Sequence, residues 1–325
     1  MLVSYQYDGL NRLVRENIVG GNTTVYKYDK DGNILFKKVF SYSAATGKTV
    51  TTLLNSASGT TVNYGYGAVY NGDLLTSYNG SGTLAYDSYG NPKKWFKHGA
   101  GSSSLSYTLQ WSHVSNLSSV KDDESGALYT YTYNNNGIRT GKVVNGKKHK
   151  YYLNGEKIIA ETRQTGNVKY TIKYFYDASG VCGFSVDDDV EYYYQKNMQG
   201  DILKVYLEDG TIFAEYEYDA WGKCTVKTNV YNMANVNPFR YRGYYYDTEA
   251  ELYYLNARYY DPEIGRFISP DSIEYLELTM VNGLNLYAYC LNNPNVPNGH
   301  PFKHDHYFYG ILILLFLDSW DEKIL

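Results

Sequence analysis

Cysteine and proline are both scarce in this sequence. Three cysteines, Cys182, Cys224 and Cys290, stand far apart in 325 residues. They form no CxxC pair, so the sequence indicates neither a disulfide framework nor a cysteine-ligated zinc site. Seven prolines against 30 glycines fit a chain with many tight turns. Burial as small apolar side chains is the expected role of the cysteines, and they do not reveal the compartment.

A basic excess is absent as well. Thirty Lys and Arg residues against 34 Asp and Glu residues give a net charge of -4. Binding to nucleic acid or to an anionic membrane draws on an excess of basic residues, so we expect no nucleic-acid partner. The apolar run at 307–317 is eleven residues long, whereas a membrane-spanning helix needs about 20. The sequence therefore predicts no stable membrane span.

The first residues, 1–8, lack the basic region and apolar core of a signal peptide. They begin within a sequence repeat, which suggests a fragment of a longer chain whose export signal lies elsewhere. We expect that full-length parent to be secreted or exposed at the cell surface.

Tyrosine is the abundant residue, with 40 copies, and aromatic residues make up 17% of the chain. Tyrosine favours β-strands, where its ring packs and its hydroxyl reaches water or a partner. Only 20% of the residues are charged. This composition predicts an all-β protein before any motif is considered.

An internal repeat supports that prediction. Its unit is Tyr-x-Tyr-Asp, a turn with Gly or Asn, and then alternating apolar residues. Tyr-x-Tyr places two rings on one face of a strand, and the Asp and Gly favour a turn. Each unit is predicted to be a hairpin of about 20 residues that pairs with its neighbours into one long sheet. The Tyr-Asp pair stands at 7–8, 28–29, 86–87, 176–177 and 218–219, with variants at 131–134 and 192–203.

These units resemble YD repeats, and a second signature follows them. It runs through Asn-Pro-Phe-Arg-Tyr-Arg-Gly at 237–243, Leu-Asn-Ala-Arg-Tyr-Tyr-Asp-Pro at 255–262, Gly-Arg-Phe-Ile-Ser-Pro-Asp at 265–271 and Asn-Asn-Pro at 292–294. This segment closely resembles the repeat-associated core of Rhs proteins. Repeats and core together cover residues 1 to about 296.

The resemblance implies a fold in which YD hairpins spiral into a hollow β-cocoon that the core closes at one end. In such proteins a variable C-terminal toxin follows the core and is held inside the shell. We therefore divide the chain into a repeat wall (1–236), a core (237–299) and a truncated variable tail (300–325). Its expected partners are its own C-terminal toxin segment and the missing N-terminal repeats.

Shells of this kind often cleave themselves with two aspartates and a nearby arginine. Asp271 matches the first aspartate and Arg258 matches the arginine, whereas Val296 stands where the second carboxylate should be. Aspartyl chemistry shares one proton between two carboxylates, so a lone aspartate does not suffice. We therefore predict a structural shell that is not an enzyme, with Asp271 and Arg258 as vestigial autoprotease candidates.

Other sites are weaker. His300, His304 and His306 have no further residues at metal-ligand spacing, and the acidic run 187–189 lacks a calcium-loop pattern, so no metal and no cofactor are predicted. No catalytic companions are visible for His98 or His113, and 99–104 is interpreted as a flexible linker between strands.

An alternative function is a cell-surface carbohydrate-binding or adhesion module that binds glycans. In that case the rings of Trp95, Trp111 and Trp221 would be exposed and stack on sugars. Packing of these rings within the sheet is the competing expectation.

Overall fold

The computed structural model describes residues 2–67, 72–99, 102–272 and 285–295. Nearly all regular structure in these residues is β, as the composition predicts. The strands are β1 Val3–Tyr7, β2 Leu13–Ile18, β3 Asn22–Tyr28, β4 Ile34–Ser41, β5 Thr60–Tyr66, β6 Leu75–Tyr78, β7 Lys94–Gly99, β8 Ser102–Ser112, β9 Asn116–Asp122, β10 Leu128–Tyr133, β11 Arg139–Val144, β12 Lys147–Asn154, β13 Lys157–Thr165, β14 Val168–Asp177, β15 Gly180–Val186, β16 Val190–Lys196, β17 Ile202–Tyr206, β18 Ile212–Tyr218, β19 Cys224–Asn229, β20 Tyr245–Asp247, β21 Leu252–Leu255, β22 Arg258–Asp261 and β23 Arg266–Phe267.

The strands form three antiparallel sheets in which sequence neighbours are also spatial neighbours. The first wall sheet has six strands in the order β1 to β6, and the second has thirteen in the order β7 to β19. A small sheet of β20 to β23, which we call the core sheet, follows. Successive hairpins joined edge to edge are the arrangement that the repeat predicts.

An aspartate or asparagine builds the turn in most of the repeat hairpins. Asp29 Oδ1 accepts the backbone N–H groups of Asp31 at 2.9 Å and Asn33 at 2.8 Å. Gly32, between them, has a φ of 85°, a conformation that glycine adopts without strain. The same pair of bonds, to the second and fourth residues onward, recurs at Asp8, Asp87, Asn134, Asn197 and Asp219.

The tyrosine before that aspartate joins each hairpin to the preceding one. The Tyr28 hydroxyl donates to the Leu13 carbonyl at 2.7 Å, and the Tyr218 hydroxyl donates to the Ile202 carbonyl at 2.8 Å. Equivalent bonds are made by Tyr86, Tyr133 and Tyr176. The Tyr-Asp pair thus serves two purposes, because its ring links successive repeats while its carboxylate closes the turn.

We expect Asp29→Ala to lower the free energy of unfolding by about 1–3 kcal/mol, because it removes the acceptor of two part-buried N–H groups. Urea denaturation would measure the loss. Asp209→Ala is the matched control, since Asp209 caps an exposed turn through one N–H, that of Thr211. Equal losses in the two variants would contradict the proposed role of the repeat aspartate.

Three short helices interrupt the strands: α1 Tyr42–Ala45, α2 Val50–Leu54 and α3 Met233–Val236. The side chains of Ser41 and Thr49 cap α1 and α2 at their N-termini. These two helices form a small separate apolar cluster with the first wall sheet, made of Val25, Phe40, Ala45 and Leu53. Their sequences are too short to show a helical period, which explains why the sequence does not predict them.

The last hairpin of the second wall sheet contacts the first wall sheet. The backbone N–H of Ala220 donates to Glu16 Oε1 at 2.7 Å, and the ring of Trp221 meets that of Tyr26 edge to face at 5.9 Å. We call this contact the seam. It brings residues that are about 200 positions apart together, so the two ends of the wall enclose the main apolar core between them.

Candidate functional site at the core sheet

The core sheet is buried within the wall. Tyr253, Tyr260 and Phe267 have no exposed surface, and all four residues of β22 are buried. Aromatic rings contact one another throughout, with Tyr260 and Tyr289 at a centroid distance of 4.3 Å. An apolar sheet must be covered on both faces to be kept from water, and the wall sheets cover the core sheet.

Tyrosine hydroxyls of the core segment bind the turn after Asp219. Tyr253 donates to the Gly222 carbonyl at 3.0 Å and Tyr260 to the Trp221 carbonyl at 2.7 Å. A Cβ atom at Gly222 would overlap the ring of Tyr241, so this turn requires glycine for close approach as well as for its φ of 85°. The repeat turn is therefore a docking surface for the core.

The segment 285–295 binds turns of the first wall sheet and of the chain that follows it. Asn285 Nδ2 donates to Asn33 Oδ1 at 2.8 Å, and Asn292 Nδ2 donates to the Gly32 carbonyl at 2.7 Å. The hydroxyl of Tyr287 donates to the Gly90 carbonyl at 2.9 Å. Together with the contacts to the turn after Asp219, these bonds fix the core to turns near the start of the wall and at its end.

An ionic cluster joins β11 of the wall to the core. Asp247 Oδ2 lies 2.5 Å from Arg139 Nη1, and Asp247 Oδ1 lies 2.8 Å from Lys142 Nζ. Lys142 also contacts Glu249 at 2.9 Å. Burial favours the neutral form of Asp247, but the two cations outweigh it and lower the pKa of this carboxyl. The guanidinium of Arg139 also lies over the ring of Tyr254, 4.1 Å from its centroid.

A second buried carboxylate, Glu161 on β13, collects four donors. Arg163 Nε donates at 2.8 Å, Tyr174 at 2.8 Å and Tyr245 of the core sheet at 3.2 Å, while the ring of His149 lies at 2.5 Å. Burial would raise the pKa of Glu161, but Arg163 and His149 more than compensate and lower it. This cluster again ties the wall to the core through a charge that water does not reach.

The two autoprotease candidates lie in contact. Arg258 Nη2 is 2.7 Å from Asp271 Oδ2, and both side chains are 6% exposed. The guanidinium stacks on the Phe267 ring at 3.6 Å, and burial lowers the pKa of Arg258 to about 10 despite the nearby carboxylate. Val296 lies outside the described residues. The two residues form a buried ion pair, and their role as vestigial autoprotease residues stays a prediction.

We expect intact-mass spectrometry to show one species of 37.1 kDa for the parent chain and one of essentially that mass for Asp271→Asn. The reason is that the observed partner of Asp271 is a cation, whereas aspartyl chemistry needs a second carboxylate. A discrete loss of about three kilodaltons, roughly the share of the 37.1 kDa chain that residues 300–325 contribute, would show that self-cleavage survives if it is confined to the unmutated chain.

The proposed sugar-stacking rings are packed inside the protein. Trp95 is 1% exposed and Trp221 is 3% exposed. Trp111 is half-buried, and its indole N–H donates to the Pro92 carbonyl at 2.8 Å. Packing within the sheets, the competing expectation, is what the structure shows for these three residues.

Two interpretations from the sequence need correction. Residues 102–104 are not a linker, since β7 ends at Gly99 and β8 begins at Ser102 in one hairpin. His98, which showed no partners in the sequence, contacts Ser103 and Asp261. The distance of 163 residues between His98 and Asp261 explains why no sequence signal reveals this contact.

The remaining candidates behave as ordinary structure. Asp187 Oδ1 accepts the N–H of Thr171, and Asp188 pairs with Lys173, so the acidic run forms a hairpin turn. The three cysteines are free thiols. Among the described residues no cluster of three or more His, Cys, Asp or Glu side chains could hold a metal ion. The histidines at 300, 304 and 306 lie outside the described residues.

A cavity of about 1490 Å³ lies between the wall turns and the core segment. Its lining includes Asn134, Asn154, Gly180 and Gln199 from the wall and Arg242 and Asn256 from the core. Gln199 Nε2 also donates to the carbonyl of Asn295, the last described residue, at 3.2 Å. In the part of the chain that the structure describes, no helix is long and apolar enough to cross a membrane.

The sequence model of the Teneurin YD-shell family matches residues 1–295. This chain belongs to the YD-shell family. The identification agrees with the hairpin wall and the enclosed core described above, and it confirms the Rhs/YD-repeat resemblance.

This chain spans only a small part of several curated relatives. The tRNA nuclease WapA of Bacillus subtilis strain 168 is 36% identical over 302 residues, which are 90% of this chain and 12% of the relative. The double-stranded DNA deaminase toxin A of Burkholderia cenocepacia strain H111 is 35% identical over 86 residues, 26% of this chain and 6% of that protein. The YD shell is therefore a part that this chain shares with larger toxins.

Solved structures show the same fold. A crystal structure of TcdB2-TccC3 superposes with a TM-score of 0.67 at 20% identity, covering 91% of this chain and 16% of that one. The Photorhabdus luminescens Tc holotoxin pore gives a TM-score of 0.61 at 19% identity over 92% of this chain and 15% of the other.

Proposed function

We propose that this chain is the closed end of an encapsulating shell whose purpose is to hold a polypeptide cargo. The cargo is the segment that follows the core in the same polypeptide. The preceding wall, formed by further YD hairpins, pairs with β1 and extends the enclosure. We place the full-length parent outside the cell or on its surface.

The observation that carries this proposal is the way the core is fixed. Hydroxyl and amide groups of the core bind the turns of the wall at both of its ends, and two buried charge clusters join it to the second wall sheet. A wall that only displayed ligands on its outer surface would have no need of such an internal closure. The hydrogen bond from Gln199, which lines the cavity, to the Asn295 carbonyl supports an exit of the core on the inner side of these contacts.

Site-specific proteolysis tests the enclosure. One variant carries a protease recognition site after Leu325, and a matched control carries the same site in the exposed turn at Asn145 and Gly146. We expect the native protein to be cut at the C-terminal site at least tenfold more slowly than at the turn site. In urea the two sites should be cut at equal rates. Equal rates in the native protein would overturn the proposal.

A further inference from the structure

Ser103, His98 and Asp261 form a continuous chain of hydrogen bonds. Ser103 Oγ lies 2.8 Å from His98 Nδ1, and His98 Nε2 lies 2.9 Å from Asp261 Oδ2. His98 and Ser103 stand opposite each other in the hairpin of β7 and β8, while Asp261 ends β22 of the core sheet. Nucleophile, base and orienting carboxylate in hydrogen-bond sequence are the elements of a serine-hydrolase triad, which is recognised by geometry and not by sequence order.

The carboxylate end of this chain is held rigidly. Asp261 Oδ2 also accepts the indole N–H of Trp95 at 2.8 Å, and Oδ1 accepts the backbone N–H groups of Glu263 at 2.9 Å and Ile264 at 3.1 Å. The side chain of Asp261 has no exposed surface. A carboxylate fixed in this way can hold an imidazole in one orientation and one tautomer.

Protonation states follow from these contacts. Burial would raise the pKa of Asp261, but His98, Trp95 and the backbone N–H of Ile264 outweigh it and lower that pKa, so the carboxyl is ionised. An ionised Asp261 accepts a hydrogen bond from the N–H at Nε2 of His98. In the neutral imidazole the lone pair is then on Nδ1, which faces the Ser103 hydroxyl.

Exposure changes along the chain of hydrogen bonds in the direction that a nucleophile requires. Asp261 is fully enclosed, the side chain of His98 is 10% exposed, and Ser103 is half-buried. The rings of Tyr78 and Phe96 flank the imidazole. The acid and base are thus shielded from water while the hydroxyl stays within reach of a reagent.

We propose that Ser103 is an activated nucleophile for ester-class electrophiles, with His98 as its general base and Asp261 as the residue that positions His98. In the reaction with an ester, Ser103 Oγ attacks the carbonyl carbon and its proton passes to His98 Nδ1. The bond from carbon to the leaving alkoxide breaks, the alkoxide takes the proton from His98, and water later releases the acyl group. This activity goes beyond the encapsulating role and does not depend on it.

The pH dependence of the reaction should follow the ionisation of the His98 imidazole. Burial lowers the pKa of this imidazole, but the charge of Asp261 and its hydrogen bond outweigh burial and raise it, with further contributions from Glu263 and Glu251. Glu251 also accepts the backbone N–H of His98 at 2.7 Å. Reaction therefore needs a pH above the raised pKa of His98, where the imidazole is neutral.

A fluorophosphonate probe tests the proposal on the full chain. Its phosphorus forms a bond to Ser103 Oγ, fluoride leaves, and the proton goes to His98, so the adduct is found by peptide mass spectrometry. We expect labelling of the Ser103 peptide, its loss in Ser103→Ala, and no change in Ser102→Ala, which removes an exposed neighbouring hydroxyl. Absence of labelling, or equal labelling after Ser103→Ala, would overturn the proposal.

Two further variants separate catalysis from structure. His98→Gln should slow labelling by about 100-fold or more, the usual contribution of a general base, while thermal unfolding shows whether the fold is retained. Asp261→Asn should lower the pH at which the labelling rate is half-maximal, because the charged imidazole of His98 loses the carboxylate that stabilises it. If the hydrogen bonds of His98 served only to hold β7 against the core sheet, Asp261→Asn would lower the stability of the protein. The labelling rate of Ser103 would then show no dependence on pH that the variant could shift. Neither result bears on the protease-protection test of encapsulation.

Discussion

Asp247→Asn is expected to lower the free energy of unfolding by about 3–5 kcal/mol, one of the two largest effects that this structure predicts. Asp247 is fully buried, with its Oδ2 atom 2.5 Å from Arg139 Nη1 and its Oδ1 atom 2.8 Å from Lys142 Nζ. Replacing the carboxylate by an amide leaves two cations in a site from which water is excluded, with only Glu249 to balance them. Equilibrium denaturation in guanidinium chloride would measure the loss.

The matched control is an exposed ion pair on the same wall. Lys173 and Asp188 lie 2.6 Å apart, but their side chains are 53% and 63% exposed. Asp188→Asn should therefore change the free energy of unfolding by less than about 1 kcal/mol. Similar losses in both variants would show that the contact of wall and core contributes no more than an ordinary surface pair, and would argue against a fixed closure.

The fold was largely predictable because its information is local and repeated. The Tyr-Asp pair, a glycine and alternating apolar residues specify a hairpin, and repetition makes antiparallel pairing of neighbours the simplest arrangement. The structure also shows why Tyr and Asp stand next to each other in the repeat, which the sequence did not reveal. Asp29 closes a turn, whereas Tyr28 binds the carbonyl of Leu13 in the previous repeat.

The candidate site was predictable only where a family signature marks it. Arg258 and Asp271 were selected through the resemblance and do lie in contact. The contact of His98 with Asp261, the buried charge cluster at Asp247 and the seam at Glu16 join residues that are 163, 105 and 204 positions apart. No spacing or periodicity encodes such contacts, since they arise when the core packs into the wall.

The seam contains two acidic side chains that a stable contact would ordinarily keep apart. Glu16 accepts the N–H of Ala220, and Asp219 lies in the same turn. Burial and the charge of Asp219 raise the pKa of Glu16 to about 8, against the opposing effects of the Ala220 hydrogen bond and the charge of Lys37. Burial raises the pKa of Asp219 to about 6, against the opposing effect of Lys37. The seam is therefore most stable when these carboxyls hold protons.

The sign of the pH dependence follows from that proton uptake. The ordinary pKa of Glu16 is 4.5, so between pH 4.5 and about pH 8 the folded protein binds more protons than the unfolded chain. Stability then falls as pH rises through this window. A raised pKa of this size corresponds to a loss of ~5 kcal/mol once both states are ionised, at about 1.36 kcal/mol per pKa unit. The full contribution is present only below pH 4.5.

Glu16→Gln should remove most of this loss. The amide oxygen can still accept the Ala220 N–H, but the side chain cannot ionise, so at pH 8.5 the variant should be more stable than the parent by ~5 kcal/mol, the size of the linked loss. Urea denaturation at intervals from pH 5 to pH 9 would measure both curves. Glu217→Gln, at a 40% exposed carboxylate paired with Lys227, is the control and should leave the parent's curve unchanged. If the free energy of unfolding fell as steeply with pH in Glu16→Gln as in the unmutated protein, ionisation of Glu16 at the seam would not be the source of the pH dependence.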